Sequence, residues 1–156
     1  MTTATVPRGL AGTYTLARNL MDQYGLKDWT LRFGRGRKQA GLCERHAKRL
    51  TFSAALFSTW TQDHCRNTIL HEIAHALTTG HHTPEWRRVF ISMGGNGKTG
   101  WEEGAGQATL PAKFTGTCPR GHTIRKDRRD KTSCSTCNPR RFDSRYLLTW
   151  TRNPDA

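Results

Sequence analysis

The stretch His71-Glu72-Ile73-Ala74-His75 constrains this chain more than any other. Residues four apart on an α-helix share one face, one turn apart, so His71 and His75 can bind a single metal ion. Glu72 stands beside that pair, within reach of a proton on a metal-bound water. These residue types at this spacing point to zinc-dependent peptide hydrolysis. The chain must therefore form a helix here with one face open to a cleft.

Catalytic zinc usually has three protein ligands and keeps a fourth position for water. His82 follows His75 by seven residues, past the helix-ending Gly80, and a glycine-containing turn can fold it back toward the pair. His81 competes for the role. His82 is favoured because it directly precedes Thr83, a predicted N-cap, and so takes a defined place at the next helix start. Three neutral imidazoles leave zinc its full charge and acidify the bound water, with Glu72 as the acid/base. His46 and His64 read as exposed or loop histidines.

Periodicity places the metal helix at about 63–79. At about 100° per residue, Leu70, Ile73, Ala74 and Leu77 share an apolar arc from which both histidines lie well off. Arg66 falls on that arc, in the first turn. Ala17, Leu20, Met21 and Tyr24 recur at helical spacing, predicting an amphipathic helix over 13–24 that Gly25 ends. Trp29, Leu31 and Phe33 alternate with polar residues as in a half-buried strand. Gly34 and Gly36, between Arg35, Arg37 and Lys38, make a basic turn. Strands at 40–43 and 49–53, with Leu50 and Phe52 inward, complete a small antiparallel sheet, and a short helix covers 54–60. Thr83-Pro84-Glu85 starts another helix, with a hydroxyl cap, proline in the first position and an acid in the first turn. Trp86, Val89, Phe90 and Met93 form its apolar stripe, and Gly94-Gly95 stop it.

Six of the thirteen residues from 94 to 106 are glycine, the mark of a connector between domains. The expected organisation is a flexible lead at 1–12, a first domain at 13–95, a connector at 96–112, a second domain at 113–152 and a tail at 153–156. In the second domain, Cys118 with His122 and Cys134 with Cys137 form two knuckles that can close a tetrahedral zinc site. Four protein ligands leave no open position, so this second zinc is structural. Cys43 and Cys65 stand alone. Five cysteines clustered in this way suit metal binding in a reducing compartment better than a disulfide framework.

The formal net charge is +13 on 156 residues, which favours a polyanionic partner, nucleic acid before a membrane surface. Nine basic residues against three acids lie between 120 and 145, a net of +6. Arg125, Lys126, Arg128, Arg129, Lys131, Arg140 and Arg141 are the predicted DNA contacts of this module. Phe142, Tyr146 and Trp150 are available to stack on exposed bases, or to pack the module itself. No run of about 18 apolar residues exists, and residues 1–10 lack the pattern of a secretory signal, so a cytoplasmic location is expected.

The order and spacing of these motifs resemble the SprT-like metalloproteases, which include the Spartan enzymes. The resemblance rests on 71–75, on His82-Thr83-Pro84-Glu85-Trp86, and on the basic ribbon. Ala40-Gly41-Leu42-Cys43, Leu50-Thr51-Phe52-Ser53 and Thr68-Ile69-Leu70 support it, and it covers roughly 13–150. It implies an α+β fold, a small zincin-like metalloprotease domain of helices packed on a small antiparallel sheet, followed by a β-rich zinc ribbon. It implies catalytic zinc on His71, His75 and His82, Glu72 as acid/base, and ribbon ligands at Cys118, Cys134 and Cys137. The chain departs from the family in offering His122 where a second cysteine is common, and Thr83 where glycine is frequent. Family members resembling it are DNA-dependent proteases acting on proteins crosslinked to DNA. A compact bacterial or phage-type member is implied, nucleoid-associated or in the host cytoplasm, with single-stranded DNA and DNA-bound protein as partners. The rival readings are a non-catalytic zinc-containing DNA-binding protein, which has no use for Glu72, and a general or cell-wall peptidase independent of DNA.

Overall fold

The computed structural model describes residues 10–100, 110–154 and 156. Residues 1–9 of the expected lead and 101–109 of the glycine-rich stretch lie outside the described residues. The chain divides into two compact units, Met1–Thr109 and Leu110–Ala156.

The first unit begins with α1 (Ala11–Gln23), earlier than the expected start at 13, and Leu10 at its N-cap is buried. Ala17, Leu20 and Met21 face the core as their spacing requires. Gly25 adopts φ +84° and ends the helix. The amides of Gly25 and Leu26 bond back to the carbonyls of Asp22 and Met21, which satisfies the last turn. Arg18 then pins the following loop, donating to the carbonyls of Trp29 and Leu26 and to the Asp22 carboxylate, each at 2.7 Å.

Three strands follow: β1 (Thr30–Gly34), β2 (Gly41–Glu44) and β3 (Arg49–Ser53). Their order is β1-β3-β2, with β2 antiparallel and β1 parallel to β3. The sheet is mixed, which corrects the expected antiparallel one. A tight turn closed by Lys48 N–H to Arg45 O at 3.0 Å makes β2 and β3 a hairpin; the chain reverses between β1 and β2 and again at this turn, so β3, lying between them, runs parallel to β1. Alternation of apolar residues carries no information about strand direction. Central β3 buries Leu50 and Phe52, and an aromatic cluster of Phe33, Phe52, Phe57 and Trp60 covers one side, with ring centroids 5.1–6.3 Å apart.

The Ser53 hydroxyl caps α2 (Ala54–Thr59), and the Thr61 hydroxyl caps α3 (Gln62–Leu77). Leu70, Ile73 and Ala74 are fully buried, whereas Leu77 is 44% exposed and departs from the expected arc. The helix ends at Leu77, and the next core position goes to Thr78, whose hydroxyl donates to Ala74 O at 2.7 Å. Helix α3 packs against α1, α4 (Pro84–Ser92) and β2, so Thr68, Glu72 and His75 are buried as well. The Thr83 hydroxyl accepts from Trp86 N–H at 3.2 Å, the predicted cap. Gly94 at φ +94° closes α4, and a side chain on Gly95 would run into the Phe90 ring. Among the described residues no helix is long and apolar enough to cross a membrane.

The second unit is a three-stranded antiparallel sheet of order β5-β4-β6, from β4 (Phe114–Thr117), β5 (Thr123–Lys126) and β6 (Thr149–Arg152). Its buried core is Cys118, Cys134 and Leu148, with Ile124, Cys137, Tyr146 and Trp150 packed against it. So small an apolar core offsets little of the entropy of ordering the chain, and the two cysteines in it belong to a group of residues able to hold a metal ion.

Leu50→Ala should lower stability by about 2–5 kcal/mol, whereas Leu42→Ala, an exposed position on β2, should stay within about 0.5 kcal/mol. Urea titration of the two variants measures both; equal losses would mean that β3 is not the centre of the core.

Candidate active site and structural metal site

His71 and His75 stand one turn apart on α3, and their Nε2 atoms lie 3.2 Å from each other. His82 reaches the same point from the turn between α3 and α4, its Nε2 also 3.2 Å from that of His71. A tetrahedral zinc holding imidazole nitrogens at its usual bond length places them about 3.3 Å apart, so this cluster fits the ion. The return depends on backbone in the left-handed region, at Gly80 (φ +82°) and at His82 itself (φ +47°). His81 is exposed and its ring centroid lies 5.9 Å from that of His75; it lines the cleft but is not part of the cluster. The three clustered ligand atoms lie within 4.8 Å of one another.

Two residues that the sequence did not single out for the site hold it in shape. The Trp86 indole lies against all three imidazoles, with centroids 4.7, 5.3 and 4.6 Å from His71, His75 and His82. It also donates Nε1–H to His71 O at 3.4 Å. Its place four residues after His82 is the available signal, but the apolar spacing by itself marks it only as core. Arg45, in the β2–β3 turn, donates Nε–H to His75 O at 2.7 Å and Nη2–H to Gly80 O at 3.0 Å. One guanidinium thus ties the end of the metal helix to the turn that presents His82, and its charge suits a helix C-terminus. Nothing local in the sequence marks it, because its partners lie 30 and 35 residues away.

Burial sets the protonation states. Desolvation, then the neighbouring His82, lowers the His71 pKa to about 4, and desolvation with the other histidines lowers His75 to about 3. Both are therefore neutral near pH 7, the form that binds metal. The backbone of Lys98 bonds to His71, and Asn96 N–H bonds to Asn67 Oδ1 at 3.0 Å, so the start of the expected connector is tied to the first unit. His75 Nδ1 is buried without a hydrogen-bond partner, and its ring is oriented by stacking on Trp86. Burial alone raises the Glu72 carboxyl to about 7; a cation on the adjacent histidines acts in the opposite sense.

A cleft of about 730 Å³ opens onto this cluster, lined by Glu72, the histidines and the β2 backbone from Gly41 to Glu44. Strand β2 is the edge of its sheet and borders the cleft. His46 is an exposed residue of the cleft wall, as expected of a non-ligand. His64 is neither exposed nor in a loop: it is half-buried in the first turn of α3, edge-on to Trp60 at 4.3 Å.

In the second unit Cys118, His122, Cys134 and Cys137 converge. His122 Nδ1 lies 3.5, 3.6 and 3.3 Å from the sulfurs of Cys118, Cys134 and Cys137, and Cys118 Sγ is 3.9 Å from Cys137 Sγ. Tetrahedral zinc requires about 3.8 Å between sulfurs and about 3.6 Å between sulfur and nitrogen, so these residues also fit. Gly121 at φ +85° makes the first knuckle, which lets the cluster use a three-residue spacer. Of the predicted DNA contacts, Arg125, Arg128, Arg129, Lys131, Arg140 and Arg141 are exposed, and Lys126 is half-buried. Lys126 pairs with Asp130 at 3.4 Å, and Arg129 lies over the Phe114 ring. Trp150 packs over Gly116 and donates to Asp130 O, Tyr146 lies beneath Arg120 and Arg145, and Phe142 is 52% exposed.

The profile of the SprT-like family matches residues 13–103, more than half of the chain. The chain belongs to the SprT-like family. Members of this family are in general zinc metallopeptidases, and the matched residues include the whole histidine cluster and Glu72. No curated protein and no solved structure matches the chain significantly.

If His82 completes this SprT-like centre, His82→Ala should lower bound zinc from about two ions per chain to about one, while His81→Ala keeps both. Elemental analysis of the purified variants decides it, and the reverse result would hand the role to His81. Arg45→Ala should weaken zinc at this centre about 10–100-fold in chelator competition, leaving the ribbon ion unaffected. An unchanged affinity would reduce Arg45 to a surface contact.

Proposed function

We propose that this SprT-like chain is a DNA-associated zinc endopeptidase that cleaves proteins bound or crosslinked to DNA. The observation that carries the peptidase reading is that the buried Glu72 and three convergent imidazoles line one open cleft. His71, His75 and His82 would hold the catalytic zinc, and Cys118, His122, Cys134 and Cys137 a structural one. Zinc held there would supply Lewis acidity toward a peptide carbonyl and a water molecule. Glu72 takes the proton of the attacking water on its carboxylate and returns it to the leaving amine. Strand β2, an edge of its sheet among the described residues, offers its outer backbone edge to an extended substrate segment, which lines up the scissile bond beside Glu72. The zincin-like arrangement is thus a helix carrying ligands and base, roofed by the edge of a sheet.

The DNA part of the reading is supported by charge. The net +13 and the exposed Arg125, Arg128, Lys131, Arg140 and Arg141 of the second unit suit a phosphate backbone, and exposed Phe142 suits an unpaired base. The proposed partner is DNA with single-stranded character, and the proposed substrate is protein on that DNA.

The test is cleavage of a DNA-binding protein by the wild type and by Glu72→Gln, each with and without single-stranded DNA. The expected result is activity that rises with DNA and falls about 10²–10⁴-fold in Glu72→Gln at unchanged zinc content. Activity that needs Glu72 but ignores DNA would leave a general peptidase. Zinc and DNA binding with no cleavage by the wild type would leave a binding protein.

A further inference from the structure

Gly41 opens strand β2 and pairs with Phe52 of β3. Its φ is not positive, so the backbone there suits any residue, and glycine is required by space instead. A Cβ at this position would lie 2.6 Å from Glu72 Cγ, 2.7 Å from Oε1 and 2.9 Å from Cδ. The colliding atoms include the carboxylate and the carbon that carries it.

Neither element can withdraw to admit a side chain. The start of β2 is pinned to β3, where Ser53 N–H bonds to Ala40 O at 2.9 Å, and Phe52 opposite Gly41 is buried in the core. Helix α3 is locked by Leu70, Ile73 and Ala74, all fully buried. The Glu72 side chain is itself 7% exposed, unlike a surface glutamate that can swing aside. Gly41 and Glu72 also line both the 730 Å³ cleft and a second cavity of about 220 Å³ bounded by Asn67, Thr68 and Thr99. Glu72 thus borders both spaces, with the bare backbone of Gly41 against its side chain.

We propose that Gly41 is a positioning residue for Glu72: the missing side chain lets the edge strand press on the carboxylate and fix its direction. The proposal rests on the peptidase reading for its catalytic consequence, but the contact can be tested without activity. Any residue larger than glycine must push the carboxylate off its line toward the attacking water. Misplacement of a reacting group by about 1 Å costs on the order of a hundredfold in rate.

The experiment is a double-mutant cycle on the full, zinc-loaded chain: wild type, Gly41→Ala, Glu72→Ala and the double variant, read by thermal unfolding and zinc content. Gly41→Ala should lower the melting temperature in the Glu72 background and leave it unchanged in the Glu72→Ala background, where the colliding atoms are gone. Equal losses in both backgrounds, or none in either, overturn the proposal. In parallel, kcat of Gly41→Ala should fall on the order of a hundredfold with zinc content and KM retained. A positive cycle with wild-type kcat would also overturn it, since the contact then positions nothing. If the wild type cuts no substrate, the peptidase reading fails, and the stability cycle still decides whether Gly41 sets the Glu72 side chain.

Discussion

The first unit depends on one helix serving as core and as chemistry at once. Helix α3 is enclosed by α1, α4 and β2, and its buried positions include Thr68, Glu72 and His75 beside Leu70, Ile73 and Ala74. Burying a carboxyl and an imidazole costs free energy unless something offsets it. A cation shared by three imidazoles would offset part of that cost and would link metal binding to the folding of this unit. Trp86 supplies the apolar floor that keeps the rings in register, and Arg45 closes the loop that returns His82.

The two ligand clusters differ in a way that matches their surroundings. The three histidines line an open cleft, and a tetrahedral ion held by three ligands would keep one position for chemistry. The ribbon cluster has four ligands, two of them buried in a core of only a few side chains, and closes upon itself. The first is surrounded by the packed elements of its unit, whereas the second makes up much of the small core of its own.

Much of this was legible because it is written locally. The 71–75 pattern, the Thr83 cap, the Gly25 and Gly94 stops and the two knuckles each depend on residues a few positions apart, and each lies where its spacing requires. The preference for His82 over His81 followed the same logic, since a cap fixes the residue before it. Where the reading failed, the cause was non-local. Strand direction in β1, the exposure of Leu77 and the packing of His64 depend on what the rest of the chain brings alongside.

The sequence by itself determined the candidate ligand residues, their spacing on the helix, the excess of positive charge and the family. These are properties of composition and of one-dimensional periodicity, and they survive any arrangement of the elements. Only the tertiary structure decided that Arg45 ties α3 to the His82 turn, that Trp86 underlies three imidazoles, and that β2 runs so close to Glu72 that Gly41 must be bare. Each is a contact between segments far apart in the chain. Such contacts are set by the packing of helices on a sheet, which local propensities do not encode.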